Sequence, residues 1–208
     1  MSEKIDRNIL IFQGVMRRLV GVYFAMLSKY YRLRVGIDRG FFGRRINVGK
    51  SCNFGVPLCC NGRGKVFLGD EVVLGFRKGP LQGNGSILIQ ARKEKSVIEV
   101  GAGSTTGNNV TMIACDKIII GEGCQIGDGV TIFDSDFHEI NPITRKATEG
   151  FCAPVIVGEN VWLGSRAMIL KGVTIGDGSV IAAGSVVSKS IPARCLAAGV
   201  PAKVIREI

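Results

Sequence analysis

Between residues 157 and 187 an aliphatic residue returns at every sixth position, and this period constrains the fold more than any other feature of the sequence. A small residue stands four places after each of the first five aliphatic residues. The aliphatic series comprises Val157, Leu163, Ile169, Ile175, Ile181 and Val187, and the small series comprises Val161, Ala167, Val173, Ser179 and Ser185. The same pattern runs earlier through Ile120, Ile126 and Ile132.

A period of six matches neither the 3.6-residue repeat of an α-helix nor the plain alternation of a long β-strand. It indicates a short strand followed by a turn, repeated so that one aliphatic side chain of each unit points inward. Three such units close one triangular coil, and successive coils stack about 4.8 Å apart with paired backbones. The sequence therefore predicts an all-β parallel β-helix, in which Cys124 is a small buried corner residue. A glycine-rich β-sandwich would need longer strands with period two.

The predicted architecture has two parts, a helical segment over residues 1–36 and a β-helix domain over residues 37–208. Insertions near residues 76–96 and 133–154 interrupt the β-helix, and the second insertion contains the single histidine of the chain. The helical segment has apolar residues three or four places apart and a basic face. Its apolar residues are Ile9, Phe12, Met16, Leu19, Val20, Tyr23, Phe24 and Leu27, and its basic residues are Arg17, Arg18, Lys29, Arg32 and Arg34.

Two interpretations of this N-terminal segment stay open. In the first, the helix packs on the end coil of the prism, which must be covered to prevent edge-to-edge stacking. In the second, it lies on the inner face of a membrane and brings the protein to lipid-linked glycans. The apolar stretch from Leu19 to Leu27 is too short to span a bilayer. Charged residues at positions 3, 4, 6 and 7 argue against a cleavable signal peptide, so we expect a cytoplasmic location, peripheral to the inner membrane under the second interpretation.

The chain carries 27 Lys and Arg residues against 17 Asp and Glu residues, a formal net charge of +10 at pH 7. This surplus suits an anionic partner such as a phosphorylated cofactor, an acidic glycan or a membrane surface. Nucleic-acid binding would rest on charge alone, so we expect none. The single histidine excludes a site built from several histidine ligands, and the seven cysteines form no C-x-x-C pair, so we expect no metal requirement.

Hexads of this form resemble those of the hexapeptide-repeat acyltransferases. The resemblance is dense from Ile118 to the C-terminus, and the element GVPAKVIR at residues 199–206 is similar to that of the galactoside, maltose and nodulation-factor O-acetyltransferases. The segment DSDFHEINP at residues 134–142 looks more like that of enzymes that acetylate sugars of cell-surface polysaccharides. The resemblance implies a left-handed β-helix and a homotrimer with its active sites between subunits. It also implies acetyl-CoA as acyl donor and a sugar or glycan as acceptor.

The resemblance also implies residues for acetyl transfer to a sugar hydroxyl. His138 matches the general base of the family, and a free imidazole with a pKa of about 6.5 suits that role at neutral pH. Asp136 is the carboxylate expected to orient the imidazole, and Asp134 the one expected to accept a hydrogen bond from the sugar. Asn109 and Trp162 are expected to contact the acceptor. Each residue also has a structural interpretation: an exposed loop histidine, solvated acidic residues, a turn-forming asparagine and an interface aromatic.

For the coenzyme, the resemblance implies contacts along one face of the prism. The backbone N–H of Ser165 is expected to meet the thioester carbonyl, and the backbone of Ala183 to bind the pantetheine arm. The nucleotide end is expected to contact residues nearer the C-terminus: Ser188, Lys189, Lys203 and Arg206. Lys203 stands where the family often has arginine, and lysine lacks the two-pronged geometry with which arginine binds phosphate.

Other functions of the same fold are weighed against these residues. A serine or antibiotic O-acetyltransferase and a non-catalytic β-helix assembly module both stay open as alternatives. A γ-type carbonic anhydrase needs three histidines around one metal ion, and one histidine per chain excludes it. A sugar-nucleotide pyrophosphorylase would need a further nucleotide-binding domain, for which 208 residues leave no room.

Overall fold

The computed structural model describes residues 16, 18–19, 21–23, 25–35, 45–76, 79–80, 82–146 and 150–208. Of the residues singled out above, Ile9, Phe12, Arg17, Val20 and Phe24 lie outside the described residues.

The strands follow in chain order as β1 (Ile46–Val48), β2 (Asn53–Phe54), β3 (Leu58–Gly62), β4 (Lys65–Leu68), β5 (Val73–Leu74), β6 (Ile87–Ala91), β7 (Val97–Val100), β8 (Thr105–Thr106), β9 (Thr111–Ala114), β10 (Lys117–Ile120), β11 (Gln125–Ile126), β12 (Thr131–Phe133), β13 (Val155–Val157), β14 (Trp162–Leu163), β15 (Met168–Ile169), β16 (Thr174–Ile175), β17 (Val180–Ile181), β18 (Val186–Val187), β19 (Cys195–Gly199) and β20 (Ala202–Glu207).

From β1 to β18, consecutive strands enter three sheets in rotation, so that every third strand joins the same sheet, and β19 and β20 both join the second of these sheets. Sheet A contains β1, β4, β7, β10, β13 and β16, sheet C contains β3, β6, β9, β12, β15 and β18, and sheet B contains β2, β5, β8, β11, β14, β17, β19 and β20. Neighbouring strands are parallel apart from the final pair, β19 and β20, which is antiparallel. This is the prism of three-strand coils that the period of six predicts, and the fold prediction is confirmed.

The core is a stack of inward-facing aliphatic residues contributed by the short strands. Leu163, for example, lies opposite Ile126 in the coil before it and Ile181 in the coil after it. All residues of the predicted aliphatic and small series are at most 1% exposed, and Cys124 is fully buried, so burial raises the pKa of its thiol. A fully buried Leu or Ile contributes roughly 1.5–3 kcal/mol relative to an exposed one, so the core stabilises every coil of the prism.

The region predicted as an insertion at residues 76–96 is only partly one. Strand β6 lies inside it and pairs with β3 and β9 in sheet C, with Ile87, Ile89 and Ala91 buried in the core. The prediction of a continuous insertion is therefore wrong. Buried and half-buried residues alternate over the five positions of β6, and polar residues flank the strand. An aliphatic residue at every sixth position is therefore not recognisable in this part of the sequence. Residues 77, 78 and 81 lie outside the described residues.

The second predicted insertion does leave the prism, after β12, and the chain returns at β13. We call residues 134–154 the excursion loop. A bridge between Ser135 and Cys152 closes its base, and the N–H of Ala153 donates to the carbonyl of Asp134 at 2.8 Å. The base of the loop is therefore held by backbone pairing.

The helical residues between positions 16 and 35 pack on the first coil of the prism. The hydroxyl of Ser28 donates to Oδ1 of Asn53 at 2.7 Å and accepts the N–H of Phe54 at 3.2 Å. Val35 is buried in the core, and Tyr31 packs against it. The helix thus covers the end coil through these residues. Of the predicted apolar series, the described members at positions 16, 19 and 23 are exposed, and Leu27 is half-buried. No helix among the described residues is long and apolar enough to cross a membrane.

Candidate active site

Where sheet B turns into sheet C, the corners of successive coils line a cleft of about 740 Å³. Three of the predicted site residues meet there although they come from different coils: Asn109, Ser165 and Ala183. Ser165 and Ala183 are exposed, and Asn109 is half-buried. The structure therefore brings the predicted thioester, pantetheine and acceptor contacts to one corner of the prism.

The backbone of Ser165 is fixed by close contact with the coils on both sides. A Cβ atom on Gly127 would lie 2.5 Å from the backbone nitrogen of Ser165, which no ordinary contact allows. On the other side, the carbonyl of Ser165 accepts the N–H of Gly184 at 2.9 Å. A donor that stabilises a developing oxyanion must be held in place in this way before the reaction begins.

Asn108, a fully buried side chain, holds the segment that covers the cleft. Its Oδ1 accepts the N–H of Phe76 at 2.8 Å, and its Nδ2 donates to the carbonyls of Phe76 at 2.7 Å and Pro80 at 3.1 Å. Its own N–H donates to Oδ1 of Asp128 at 2.8 Å. Sequence reasoning missed Asn108 and Asp128. The sequence pattern that could have identified them is a polar residue directly after the glycine of a hexad, which occurs in two successive coils.

Asn109 forms part of a turn and also lines the cleft. Its backbone has a φ of +58°, in the left-handed region that asparagine tolerates better than most residues. The matching corner of the next coil is occupied by Gly129, with a φ of +68°. The side chain lines the cleft, where its Nδ2 donates to the carbonyl of Pro80 at 3.3 Å. The turn-forming interpretation therefore applies, and the contact with the acceptor stays a prediction.

Trp162 lies in a second groove, of about 400 Å³, on the outer face of sheet B. Its side chain points outward, as predicted, and is 54% exposed. The exposed ring of Phe76 lines the same groove. Asp128 lines both the groove and the cleft, so the two adjoin at this residue.

His138 lies at a different corner, where sheet C turns into sheet A, and it is exposed. The preceding Phe137 packs edge-on against Phe133 with ring centroids 5.1 Å apart, and the guanidinium of Arg92 lies 4.5 Å from the Phe137 centroid. Gly150 passes so close that a Cβ atom there would lie 2.5 Å from the carbonyl oxygen of His138. These contacts hold the backbone of the loop beside the histidine.

Within one chain, His138 is not among the residues that line the cleft. Strand β12 (Thr131–Phe133) of sheet C joins Gly129, in the cleft, to Asp134, at the start of the excursion loop. At about 3.4 Å per residue, the three residues of this strand span roughly 10 Å. One chain by itself therefore brings the predicted donor and acceptor contacts together but not the predicted base.

Asp136 is half-buried, and its Oδ1 lies 3.0 Å from Nζ of Lys171. The same ammonium group lies 5.7 Å from the ring centroid of Phe151. These contacts tie both ends of the excursion loop to the turn after β15. The predicted contact between Asp136 and the imidazole of His138 stays a prediction.

Asp134 is fully buried and has a different role from the predicted one. Its Oδ1 accepts the N–H of Cys115 at 2.8 Å, and its Oδ2 accepts the N–H of Asp116 at 2.7 Å. Burial raises the pKa of this carboxyl, and the backbone hydrogen bonds counteract part of that effect. A carboxylate with no exposed surface and both oxygens bonded to the neighbouring coil cannot meet a sugar hydroxyl. The prediction of a substrate contact is therefore wrong, because Asp134 anchors the base of the loop.

The four basic and polar residues predicted for the nucleotide end are all exposed near the last coil. Ser188 and Lys189 directly follow β18, at the far edge of sheet C from the cleft. Lys203 and Arg206 lie on β20, which contacts β18 as well as β19. Lysine and arginine side chains at three of the four positions can supply positive charge to phosphate, and the hydroxyl of Ser188 can donate a hydrogen bond.

A β-bulge places Lys203 and Arg206 on the same face. Residues three apart on a regular strand point to opposite sides of a sheet. Here Lys203 pairs with Ala198 and Arg206 pairs with Leu196, with the register shifting between Leu196 and Ala197. Because Ala198 and Leu196 are two residues apart, their partners share the outer face of sheet B.

Residues 154–189 match the family model described as "Hexapeptide repeat of succinyl-transferase". The galactoside O-acetyltransferase of Escherichia coli (strain K12) is 42% identical over 113 residues, which cover 54% of this chain and 55% of that protein. The crystal structure of a polySia-specific acetyltransferase is 30% identical with a TM-score of 0.53, covering 78% of this chain and 74% of the other. A hexapeptide-repeat acetyltransferase from Vibrio cholerae, complexed with acetyl coenzyme A, is 26% identical with a TM-score of 0.52, covering 85% and 76%.

The chain spans about half the length of the curated relatives that it matches. Its similarity to the solved acetyltransferases extends over most of the prism. The three parallel sheets, the repeated hexads and these likenesses agree on a left-handed parallel β-helix. The chain belongs to the hexapeptide-repeat acyltransferase family.

Proposed function

We propose that this protein is an acetyl-CoA-dependent O-acetyltransferase that acts on a hydroxyl group of a sugar. The observation that carries the proposal is the meeting of Asn109, Ser165 and Ala183 in one cleft. The likenesses support the same chemistry, because one relative is named a galactoside O-acetyltransferase and one neighbour is complexed with acetyl coenzyme A.

Acetyl-CoA would lie along the prism from the cleft toward the last coil. The thioester sits at Ser165, whose backbone N–H donates to the carbonyl oxygen, and the pantetheine arm follows Ala183. Lys203 and Arg206, which share one face of the final hairpin, supply positive charge for the phosphates together with Lys189. The net charge of +10 supports an anionic donor.

The base comes from a second subunit in this proposal. Strand β12 of sheet C lies between the cleft and the excursion loop that carries His138, and His138 does not line the cleft of its own chain, which supports a histidine supplied by a neighbouring subunit. A homotrimer whose subunits meet corner against corner would place the excursion loop of one chain over the cleft of its neighbour. This arrangement supports the homotrimer implied by the family resemblance.

The reaction is a direct acyl transfer. The neutral imidazole of His138 accepts the proton of the sugar hydroxyl as the oxygen attacks the thioester carbon. The thioester carbon becomes tetrahedral, and its oxygen becomes an oxyanion stabilised by the N–H of Ser165. The carbon–sulfur bond then breaks, the sulfur leaves with the electron pair and takes the proton from the imidazolium, and the products are the acetylated sugar and free CoA thiol.

For the acceptor we propose a sugar of a cell-surface polysaccharide or lipopolysaccharide. The polySia-specific acetyltransferase among the solved structures supports a glycan acceptor. The groove that carries Trp162 and Phe76 adjoins the cleft and offers two exposed aromatic rings against which sugar faces can pack. The seven cysteines are free thiols, which supports a reducing, cytoplasmic compartment.

The test combines coenzyme binding with turnover. Titration calorimetry with acetyl-CoA should give micromolar affinity, and thiol release should depend on an added sugar acceptor. The variant His138→Ala should lower turnover by roughly 10²–10⁴-fold and leave acetyl-CoA affinity unchanged. The matched control is Ile143→Ala, an exposed residue of the same loop, which should retain wild-type turnover.

Two results would overturn the proposal. Absence of binding at millimolar acetyl-CoA would favour a non-catalytic assembly module. Near wild-type turnover of the His138 variant would remove this residue from the mechanism.

A further inference from the structure

The outer face of the N-terminal helix carries an apolar stripe that the prism does not cover. Seven large hydrophobic side chains on this helix are 43–66% exposed. They are Met16, Leu19, Val22, Tyr23, Met26, Tyr30 and Leu33, and we call them the outer stripe. At 3.6 residues per turn they fall within about a third of the helix circumference. Such an exposed apolar stripe marks an interaction surface.

The helix cannot turn this stripe inward without losing its own packing. Ser28, Tyr31 and Val35 lie on the far side of the helix from the stripe and attach it to the first coil. The hydroxyl of Ser28 bonds to both Asn53 and Phe54, and Val35 is part of the core. The fold therefore holds the outer stripe facing away from the prism.

The charges around the stripe are of one sign. Arg18, Lys29 and Arg32 lie along one margin of the stripe, and Arg34 lies near the other margin at the C-terminal end. All four are exposed. The sequence between Arg7 and Asp38 contains no Asp or Glu residue. A partner that covers the stripe therefore needs an apolar region that the hydrophobic side chains can enter, bordered by negatively charged groups that the basic residues can bind.

An anionic lipid surface meets both requirements, whereas a second copy of the helix does not. The spacing of the stripe, alternating between three and four residues, is also that of a coiled-coil seam, but such seams are flanked by opposite charges that pair between helices. Here every flanking charge of one copy would face a like charge of the other. In a bilayer, the apolar side chains enter the acyl boundary and the basic residues bind lipid phosphates.

We propose that the outer stripe is an interfacial anchor that lies in the plane of an anionic lipid surface and holds the prism against it. The stripe is about 26 Å long at 1.5 Å per residue, and it lies along the surface without crossing it. The anchor is independent of the acetyl transfer proposed above, because none of its residues lies in the cleft or the excursion loop.

The test is flotation of the full chain with vesicles of phosphatidylglycerol and phosphatidylcholine in equal parts, compared with vesicles of phosphatidylcholine alone. We expect binding to the anionic vesicles, weakened by salt. The apolar variant Leu19→Ser/Met26→Ser/Leu33→Ser and the charge variant Arg18→Gln/Lys29→Gln/Arg32→Gln should each bind at least about tenfold more weakly. The matched control, Lys65→Gln/Lys95→Gln/Lys117→Gln, removes the same charge from exposed positions of the prism and should bind within about twofold of wild type.

All altered side chains are exposed, so each variant should fold, and equal acetyl-CoA affinity or an unchanged thermal transition checks this. Equal flotation of wild type and both stripe variants would overturn the proposal. So would absence of flotation combined with a smaller assembly mass of the apolar variant in light scattering, because that outcome assigns the stripe to a second copy of this chain.

Discussion

The ammonium group of Lys171 lies 3.0 Å from Oδ1 of Asp136, two residues before His138, and this ion pair ties the excursion loop to the turn after β15. Both side chains are partly exposed, so the pair contributes only about 0–1 kcal/mol to the free energy of unfolding. We expect the ion pair mainly to fix the position of the loop, since it adds little to the free energy of unfolding. Lys171→Met should therefore lower kcat for acetyl transfer several-fold, with acetyl-CoA affinity unchanged.

Lys117→Met, at an exposed site on sheet A, is the matched control and should leave kcat unchanged. Steady-state kinetics and titration calorimetry on the two variants separate loop positioning from coenzyme binding. Equal kcat values for the Lys171 variant and wild type would show that the ion pair does not position the loop.

A site shared between subunits predicts complementation between inactive chains. His138→Ala and Asn109→Ala remove groups from different corners of the prism, so each pure variant should lose most of its activity. In an equal mixture of subunits refolded together, each site takes its histidine and its asparagine from different chains. About a quarter of the sites would then be intact in a random trimer. Thiol release by the mixture measures this fraction.

Mixing the folded variants without subunit exchange is the control and should give no recovery. If the refolded mixture stays as inactive as the separate variants, then His138 and Asn109 act within one chain or in different sites.

Gly127→Ala tests the contact that fixes Ser165. The added Cβ would lie 2.5 Å from the nitrogen and 2.8 Å from the Cα of Ser165, and both are backbone atoms that move only with their coil. Overpacking of this kind costs about 1–3 kcal/mol. We expect a lower unfolding midpoint together with reduced kcat, because the displaced N–H no longer meets the oxyanion. Gly21→Ala, in the helix, where nothing lies within 4 Å of the new Cβ, should leave kcat unchanged and should not lower the midpoint.

Asp134→Ala tests the structural role that replaces the predicted substrate contact. The substitution leaves the N–H groups of Cys115 and Asp116 without their acceptors, at a cost of about 1–3 kcal/mol for a buried group. Urea unfolding should show a loss of roughly 2–3 kcal/mol. Glu122→Ala, an exposed corner residue, should stay within about 0.5 kcal/mol of wild type. A stable Asp134 variant with a raised KM for the sugar would restore the substrate role.

The repeat in the sequence was sufficient to predict the prism, because each two-residue strand buries one side chain and the next inward position follows six residues later. Positions such as Leu163 and Ser179 could be assigned to the core from spacing alone. The strand at Ile87–Ala91 escaped this reasoning, since its alternation belongs to a longer strand and carries no hexad. Local pattern therefore predicted the repeating fold and missed the place where one coil is irregular.

The sequence alone determined which residue types are present for acyl transfer: a single histidine in a loop that leaves the prism, and Ser165 and Ala183 at hexad corners. Only the tertiary structure decided how these residues are used, since the stacking of coils sets which corner each residue occupies. It buried Asp134 under the neighbouring coil, brought Asn109 and Ser165 from different coils into the lining of one cleft, and left His138 outside that lining. These relationships depend on contacts between residues that are distant in sequence. A repeat of six residues specifies only which positions along the chain face inward.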